Sequence, residues 1–467
     1  MPVSYPAFLL FPGQSIGGAV MARTMDFTKG KIVGPLVRFA GPVLLAMFLQ
    51  ALYGAVDLLV VGHFGTSADV SGVAIGSQLM ATMTNLIVSF AMGTTVYLGQ
   101  KIGEGDKESG GDIIGTSIIL FFGIGVILTI VVPLVSGNLA RLMHAPEESF
   151  PQTMRYIQIC GAGTIMIVAY NVLGAVFRGI GDSTTPLMTV MIAAVANIFG
   201  DLLLVSGLGM GSAGAALATV VSQAISVIVS FFLIRKRPLP FTFGPGRIRL
   251  QQSIASKIVH FGAPIALQDF LVSISFLVIL AIVNTLGVTA SAAVGVAEKV
   301  CAFIMLVPSA FMQSMSSFVA QNKGAGKMDR AVTGTKYAIA LSTLIGIGMF
   351  YLAFFHGDIL CSIFSSDMAV TNAAAEYLKA YGIDCLFTCF LFCLVGFYNG
   401  IGHTGFVMVQ GVISAFLVRI PVSYGMSRAI GSLFSIGLAI PCSTILQIIL
   451  CAGFFLHLKK RDRHLSS

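Results

Sequence analysis

An all-α membrane protein of twelve transmembrane helices, arranged as two parallel six-helix repeats, is what this 467-residue sequence predicts. Three observations lead there. Apolar runs long enough to cross a bilayer follow one another along the chain. Only 10% of the residues are charged. Motifs of the first half return in the second at a nearly constant spacing.

The composition excludes a water-soluble globule. Soluble proteins carry about 25% charged residues, whereas 56% of this chain is hydrophobic. The apolar runs reach the roughly 18 to 20 residues that a helix needs to span a bilayer. They predict spans at 36–61, 71–97, 113–134, 153–177, 186–208 and 212–234, then 258–284, 291–319, 333–357, 376–398, 405–428 and 432–458. All are helices, because an isolated strand cannot satisfy its backbone in lipid and no alternating barrel pattern appears. These spans divide the chain into an N-terminal extension (1–35), a first lobe (36–234), a linker (235–257), a second lobe (258–458) and a tail (459–467). Residues 1–24 hold an apolar patch with no basic stretch before it, which does not fit a cleaved signal peptide.

The net charge of +8 reflects topology rather than nucleic-acid binding. Basic residues gather in alternate loops and at the ends: Arg23, Lys29, Lys31 and Arg38; Lys101 and Lys107; Arg178; Arg235, Lys236, Arg237, Arg247, Arg249 and Lys257; Lys323, Lys327, Arg330 and Lys336; Lys459, Lys460, Arg461 and Arg463. The positive-inside rule puts that side, with both termini, in the cytoplasm of a plasma-membrane protein.

The repeat is legible in paired motifs. Phe39-Ala40-Gly41-Pro42 matches Phe261-Gly262-Ala263-Pro264. Gln100-Lys101-Ile102-Gly103 matches Gln321-Asn322-Lys323-Gly324. Tyr156 matches Tyr377, Arg178-Gly179-Ile180-Gly181 matches Asn399-Gly400-Ile401-Gly402, and Arg235-Lys236-Arg237 matches Lys459-Lys460-Arg461. Six spans per unit is an even number, so both halves enter the membrane in the same direction. Such parallel repeats are a transporter arrangement, with the binding site between the halves.

These motifs, with VDLLVVG after the first of them and RGIGDSTTP before the fifth span, resemble the multidrug and toxic compound extrusion (MATE) family. The resemblance covers nearly the whole chain after residue 29. It implies two six-helix lobes around a central cavity and cation-coupled export. The pattern is similar to the DinF-type branch, whose cation site corresponds here to Asp57, Asn197, Asp201, Tyr156 and Thr219. NorM-type members place acidic residues in the second lobe, at positions that read Val272 and Thr388 here. Asp269 and Asp384 lie about one turn earlier.

Read as chemistry, Asp57 is a carboxylate inside an apolar run, which lipid tolerates only when it is paired, protonated or facing water. Asn197 and Asp201 stand one turn apart on one helix face. Their oxygens suit a hard cation or a shared proton, or else a polar contact between packed helices. At about 1.5 Å per residue, Asp57, Asp201, Thr219 and Tyr156 all fall in the outer half of a core about 30 Å thick. Pro42 removes a backbone bond in the first span and marks a flexible point or a fixed bend. In the second lobe, Glu298, Lys299, Asp384 and Arg419 share a depth, which predicts a buried ion-pair network or a cavity lining that selects substrate charge. Arg178 and Asp182 read as a tight-turn loop with the arginine at the headgroups. Cys385, Cys389 and Cys393 share a helix face and read as small packing residues rather than metal ligands.

No phosphate-binding loop, metal-ligand spacing or nucleophile–base grouping appears, which argues against an ATP-driven pump and against an enzyme. The sequence therefore predicts a monomeric secondary antiporter, without a cofactor, coupled to Na⁺ or H⁺. Its partners are the bilayer and a small organic, often cationic and amphipathic, substrate. A flippase for lipid-linked precursors is the alternative. It needs a cavity rich in basic side chains, for which Lys299 and Arg419 are the candidates.

Overall fold

The computed structural model describes residues 24–106, 108–236 and 241–465. Among them, eleven helices are long and apolar enough to cross a membrane, and a bent pair supplies a twelfth span. The first lobe contains Val33–Phe64, Ser67–Glu104, Ser109–Leu142, the bent pair Glu147–Ala162 with Thr164–Gly179, Thr184–Gly207 and Gly211–Ile234. The second contains Gln252–Asn284, Val288–Gly324, Met328–Phe355, Met368–Gly400, Thr404–Ala429 and Leu433–Lys460. These are numbered below as spans one to twelve.

Helix ends follow local chemistry. The second span opens on a reciprocal cap, with Thr66 Oγ1 accepting from the Asp69 amide at 3.2 Å and Asp69 Oδ2 accepting from the Thr66 amide at 3.1 Å. Asp69 also accepts from the Ser212 amide at 2.9 Å, which ties the second span to the sixth. Asp182 does not stand free in a loop. It accepts from the amides of Thr184 and Thr185, both at 3.0 Å, and starts the fifth span.

Breaks within spans have identifiable causes. The eighth is interrupted at Met305 and the twelfth at Leu438. Each break lies three residues before a proline, Pro308 and Pro441, whose missing N–H leaves the carbonyl four residues earlier without its helical partner. The fourth span bends by 55° at Gly163. No proline is involved there. A β-carbon on Gly163 would lie 2.4 Å from the Val220 side chain, so the break lets the sixth span close in. The amide of Ile165 instead finds Thr129 Oγ1 at 3.0 Å. Pro42, by contrast, sits within an uninterrupted helix from Val33 to Phe64. In the fifth and eleventh spans the α-helix widens into a π-type turn, at Leu202–Gly207 and Ala415–Arg419.

The lobes meet where the second span crosses the seventh and where the first packs on the eighth. Gly93 and Gly262 allow the first crossing. Their β-carbons would come within 2.3 Å of the Ile258 carbonyl and 2.2 Å of the Phe90 carbonyl. At the end of the bundle that carries both termini, Gln100 donates to the Gly400 carbonyl at 2.9 Å, and its repeat mate Gln321 donates to the Gly179 carbonyl at 3.3 Å. Across the same seam, Gly103 and Gly324 bring backbones into direct contact. The repeated motifs thus close this end of the molecule by reaching into the opposite lobe.

Two segments outside the spans are pinned. Residues 24–32 lie across the seam. The Met25 amide donates to Gly181, the Phe27 amide donates to Gln321 Oε1, and Arg330 donates to the carbonyls of Phe27, Lys29, Gly30 and Lys31. Residues 1–23 of the expected extension fall outside the described residues. The described part of the linker lies against the third span. Arg247 donates to the Glu108 carbonyl at 2.8 Å and sits 3.3 Å from Asp112, while Thr116 donates to the Arg249 carbonyl at 3.1 Å.

Candidate functional site

The five residues expected to form a cation site come from four different spans, the first, fourth, fifth and sixth, and the structure brings them together in one cluster in the first lobe. Asp57 is 4% exposed and Asn197 and Asp201 are fully buried. Thr219 shares its hydroxyl between Asp57 Oδ2 at 3.2 Å and the Ala215 carbonyl at 3.0 Å. Asn197 and Asp201 face Asp57 within interaction range. Yet Asp57 Oδ1, both Asp201 oxygens and both Asn197 amide atoms are buried without a hydrogen-bond partner. Tyr156 is buried beside Cys160, Asp57 and Thr219, its ring pressed against Gly76.

This arrangement is chemically incomplete as protein alone. Buried polar atoms are almost always paired, and two carboxylates close together in an apolar lobe cannot both stand unneutralised. A proton shared between them would satisfy the site. So would a hard cation held by Asp57, Asp201 and the Asn197 amide oxygen, since oxygen donors are what such ions take. A transition-metal centre fits less well, because no group of three or more His, Cys, Asp or Glu side chains occurs among the described residues.

Five neighbours were not singled out from the sequence. Tyr53 lies near Asp57 and reaches toward Gln223 and Tyr170. Cys160 packs against the sixth span at Ala216. Gln50 donates to Tyr170 Oη at 3.1 Å. Tyr53 and Gln223 each stand one turn from a site residue, Asp57 and Thr219, so helical spacing alone points to them.

The second lobe departs from the expected ion-pair network. Among the described residues, no ion pair joins Glu298, Lys299, Asp384 and Arg419. Lys299 is exposed and Glu298 half-buried. Asp384 is buried and accepts from Thr388 Oγ1 at 2.6 Å. Arg419 donates to Ser275 Oγ at 3.0 Å and lies 4.5 Å from the centre of the Phe276 ring. The four share a depth but not a face, which sequence spacing could not reveal. Asp269 lies at the lobe seam and accepts from Ser89 of the second span. Arg178 is a further correction. Instead of standing exposed at a helix end, it turns back along its own helix toward Gly174 and Tyr170, with Nε and Nη2 buried.

Fold and site together define a multi-pass membrane transporter built from two repeats. The MatE family profile matches residues 42–203 and again 264–425, at an unchanged offset of 222 residues. The chain belongs to the MatE family. It is 27% identical to the probable multidrug resistance protein YpnP of Bacillus subtilis (strain 168), over 92% of this chain and 96% of that protein. It is 24% identical to the multidrug export protein MepA of Staphylococcus saprophyticus, over 87% and 89%. Among solved structures, a MATE transporter in a bent conformation superposes with a TM-score of 0.88 at 19% identity, covering 95% of this chain and all of that one. An outward-facing MATE family transporter gives 0.87 at 19% identity, covering 94% and 100%.

Proposed function

We propose that this protein is a secondary antiporter that exports small organic, often cationic amphipathic compounds in exchange for Na⁺ or H⁺. One observation carries the reading: in the first lobe, Asp57, Asn197 and Asp201 gather within interaction range of one another yet leave five buried polar atoms without a well-formed hydrogen bond from the protein. Left alone, such a group is expensive in lipid; a proton or cation that enters and leaves makes it useful. Asp57 and Asp201 supply the charge, Asn197 a neutral oxygen, and Thr219 orients Asp57. Tyr156 closes the apolar side of the pocket. Both termini and the 235–257 linker face the cytoplasm, in keeping with the placement of Lys and Arg.

The relatives' names, a probable multidrug resistance protein and a multidrug export protein, support the substrate class. The flippase alternative finds no such support. Of its two basic candidates, Arg419 is engaged by Ser275 and Phe276 rather than free to meet a polyanion, which leaves Lys299 as the single exposed one. Transport into proteoliposomes with Na⁺ and H⁺ gradients imposed separately tests the proposal. One gradient alone is expected to drive uptake of a cationic dye. Equal uptake with neither gradient would rule coupling out.

A further inference from the structure

The repeat places the first lobe's site in register with a second-lobe site of different chemistry. At the 222-residue offset of the two matched stretches, Asn197 stands against Arg419, Asp201 against Ser423 and Asp57 against Ile279. Tyr156 stands against Tyr377 one residue off that spacing. Both members of the first pair are buried, Asn197 at 0% and Arg419 at 5% exposure, and Ile279 belongs to the second lobe's apolar core. Each fifth helix of a lobe also carries its π-type turn beside these residues. One turn begins directly after Asp201 and the other ends on Arg419. Such turns often mark functional positions.

Around Arg419 the surroundings are those of a charge that stays. A guanidinium is always protonated and needs a counter-charge when buried. The carboxylate within electrostatic reach is Asp384, with Tyr377 and Tyr381 also facing the guanidinium. Asp384 has no acidic counterpart in the first lobe, where the 221-residue spacing of Tyr156 and Tyr377 falls on Gly163, the site of the 55° bend. Asp384 Oδ1 and Tyr377 Oη have no hydrogen-bond partner. The second lobe has thus lost one carboxylate to isoleucine and a second to serine, gained a carboxylate elsewhere, and gained a fixed cation.

We propose that Arg419 is a tethered cation, a positive charge built into the second lobe where the first lobe takes an exchangeable one. With Asp384 as the carboxylate within its electrostatic reach, it holds the second lobe in the equivalent of the ion-loaded state throughout the cycle. Ion exchange is then confined to the first lobe, and the two halves of a symmetric fold carry asymmetric duties. The inference rests on the first-lobe ion site proposed above.

Chemical rescue of the full-length protein tests it without relying on that site. Arg419→Ala opens a guanidinium-sized hole against Ser275 and Phe276, within electrostatic reach of Asp384. Millimolar guanidinium is expected to raise the apparent melting temperature of this variant by several degrees. Urea, which has the same shape and no charge, should do so much less. Neither should raise that of the unsubstituted protein. Adding Asp384→Asn should abolish the preference for guanidinium. Equal rescue by urea, or a preference that survives Asp384→Asn, would overturn the proposal. If Arg419→Ala cannot be purified, Arg419→Lys provides the second measurement. It retains a charge and should fold without guanidinium, whereas Arg419→Met, similar in length and neutral, should not. Equal yields of the two would also overturn it. Failure of the first-lobe reading is seen separately, as Na⁺- or pH-dependent stability that persists in Asp57→Asn/Asp201→Asn.

Discussion

Thr219 donates its hydroxyl to Asp57 at 3.2 Å, joining the sixth span to the first across the middle of the first lobe. A hydrogen bond to a charged group contributes about 1.5–3 kcal/mol, so this contact is sensitive to whether Asp57 carries a charge, a proton or an ion. It ties the ion state of the site to the packing of two helices.

Asp57→Asn and Asp201→Asn are expected to abolish gradient-driven export while the protein still folds. An amide keeps the shape but neither releases a proton nor balances a cation. Thr219→Val should leave transport intact but weaken the response to the coupling ion by about tenfold, the equivalent of losing about 1.4 kcal/mol. Proteoliposome transport at matched protein content measures all three. Full activity in either Asn variant would place coupling elsewhere.

Pro42→Ala addresses how ion and substrate oppose each other. The first span runs through Pro42 without interruption, but the missing amide leaves the bond to Arg38 unmade and lowers the cost of bending there. If a bend links ion binding to the cavity, Pro42→Ala keeps ion affinity and shrinks the factor by which ion and substrate weaken each other, a factor that must be the same in both directions. Calorimetric titration of substrate with and without ion gives that factor. An unchanged value would favour direct displacement.

Gly103 and Gly324 test the closure at the terminus-bearing end. A β-carbon on Gly103 would lie 1.9 Å from the Gln321 carbonyl, and one on Gly324 1.8 Å from the Gln100 carbonyl. Gly103→Ala and Gly324→Ala should therefore push the lobes apart at that end and populate the alternative opening. Spin-label distances between residues 106 and 328 are expected to lengthen in both variants. Unchanged distance distributions would mean that the seam does not gate.

Arg330 secures residues 27–31 through four backbone carbonyls. Arg330→Ala should release that strap, seen as faster trypsin cleavage after Lys29 and Lys31 and as faster amide exchange over residues 25–31. Phe27 is packed between Phe39 and Phe318, so Phe27→Ala should produce the same release. Cleavage rates equal to those of the unsubstituted protein would show that the strap is held by other contacts.

Topology can be checked directly. A cysteine placed at Gly246, in a chain otherwise freed of its exposed Cys442, should resist a membrane-impermeant maleimide in intact cells and react once the membrane is opened. Reaction in intact cells would invert the orientation read from Lys and Arg.

Much of the architecture was legible because it is local. Every predicted span overlaps a helix or, in the fourth, a bent helix pair, since spanning is decided by hydrophobic length; the breaks at Met305 and Leu438 were not expected, although Pro308 and Pro441 lie three residues beyond them. The bend at Gly163 was not legible. It depends on how closely Val220 of another span approaches. In the first lobe, depth arithmetic and family pattern converged on five residues that do meet. In the second, the same arithmetic grouped Glu298, Lys299, Asp384 and Arg419, but depth along a helix says nothing about which way its face turns. Lys299 is exposed, while Asp384 and Arg419 are buried.

The sequence by itself determined the medium, the number of spans, the repeat and the residue types available to each lobe, because lipid forces the backbone to satisfy itself within each span. Tertiary structure alone decided which polar side chains face one another. Between helices in lipid there is no hydrophobic drive to dictate partners, so close glycine crossings and interhelical hydrogen bonds set the rotation of each helix. That rotation leaves Asp57, Asn197 and Asp201 together and incompletely partnered in one lobe, and gives Arg419 a serine, an aromatic ring and a nearby carboxylate in the other.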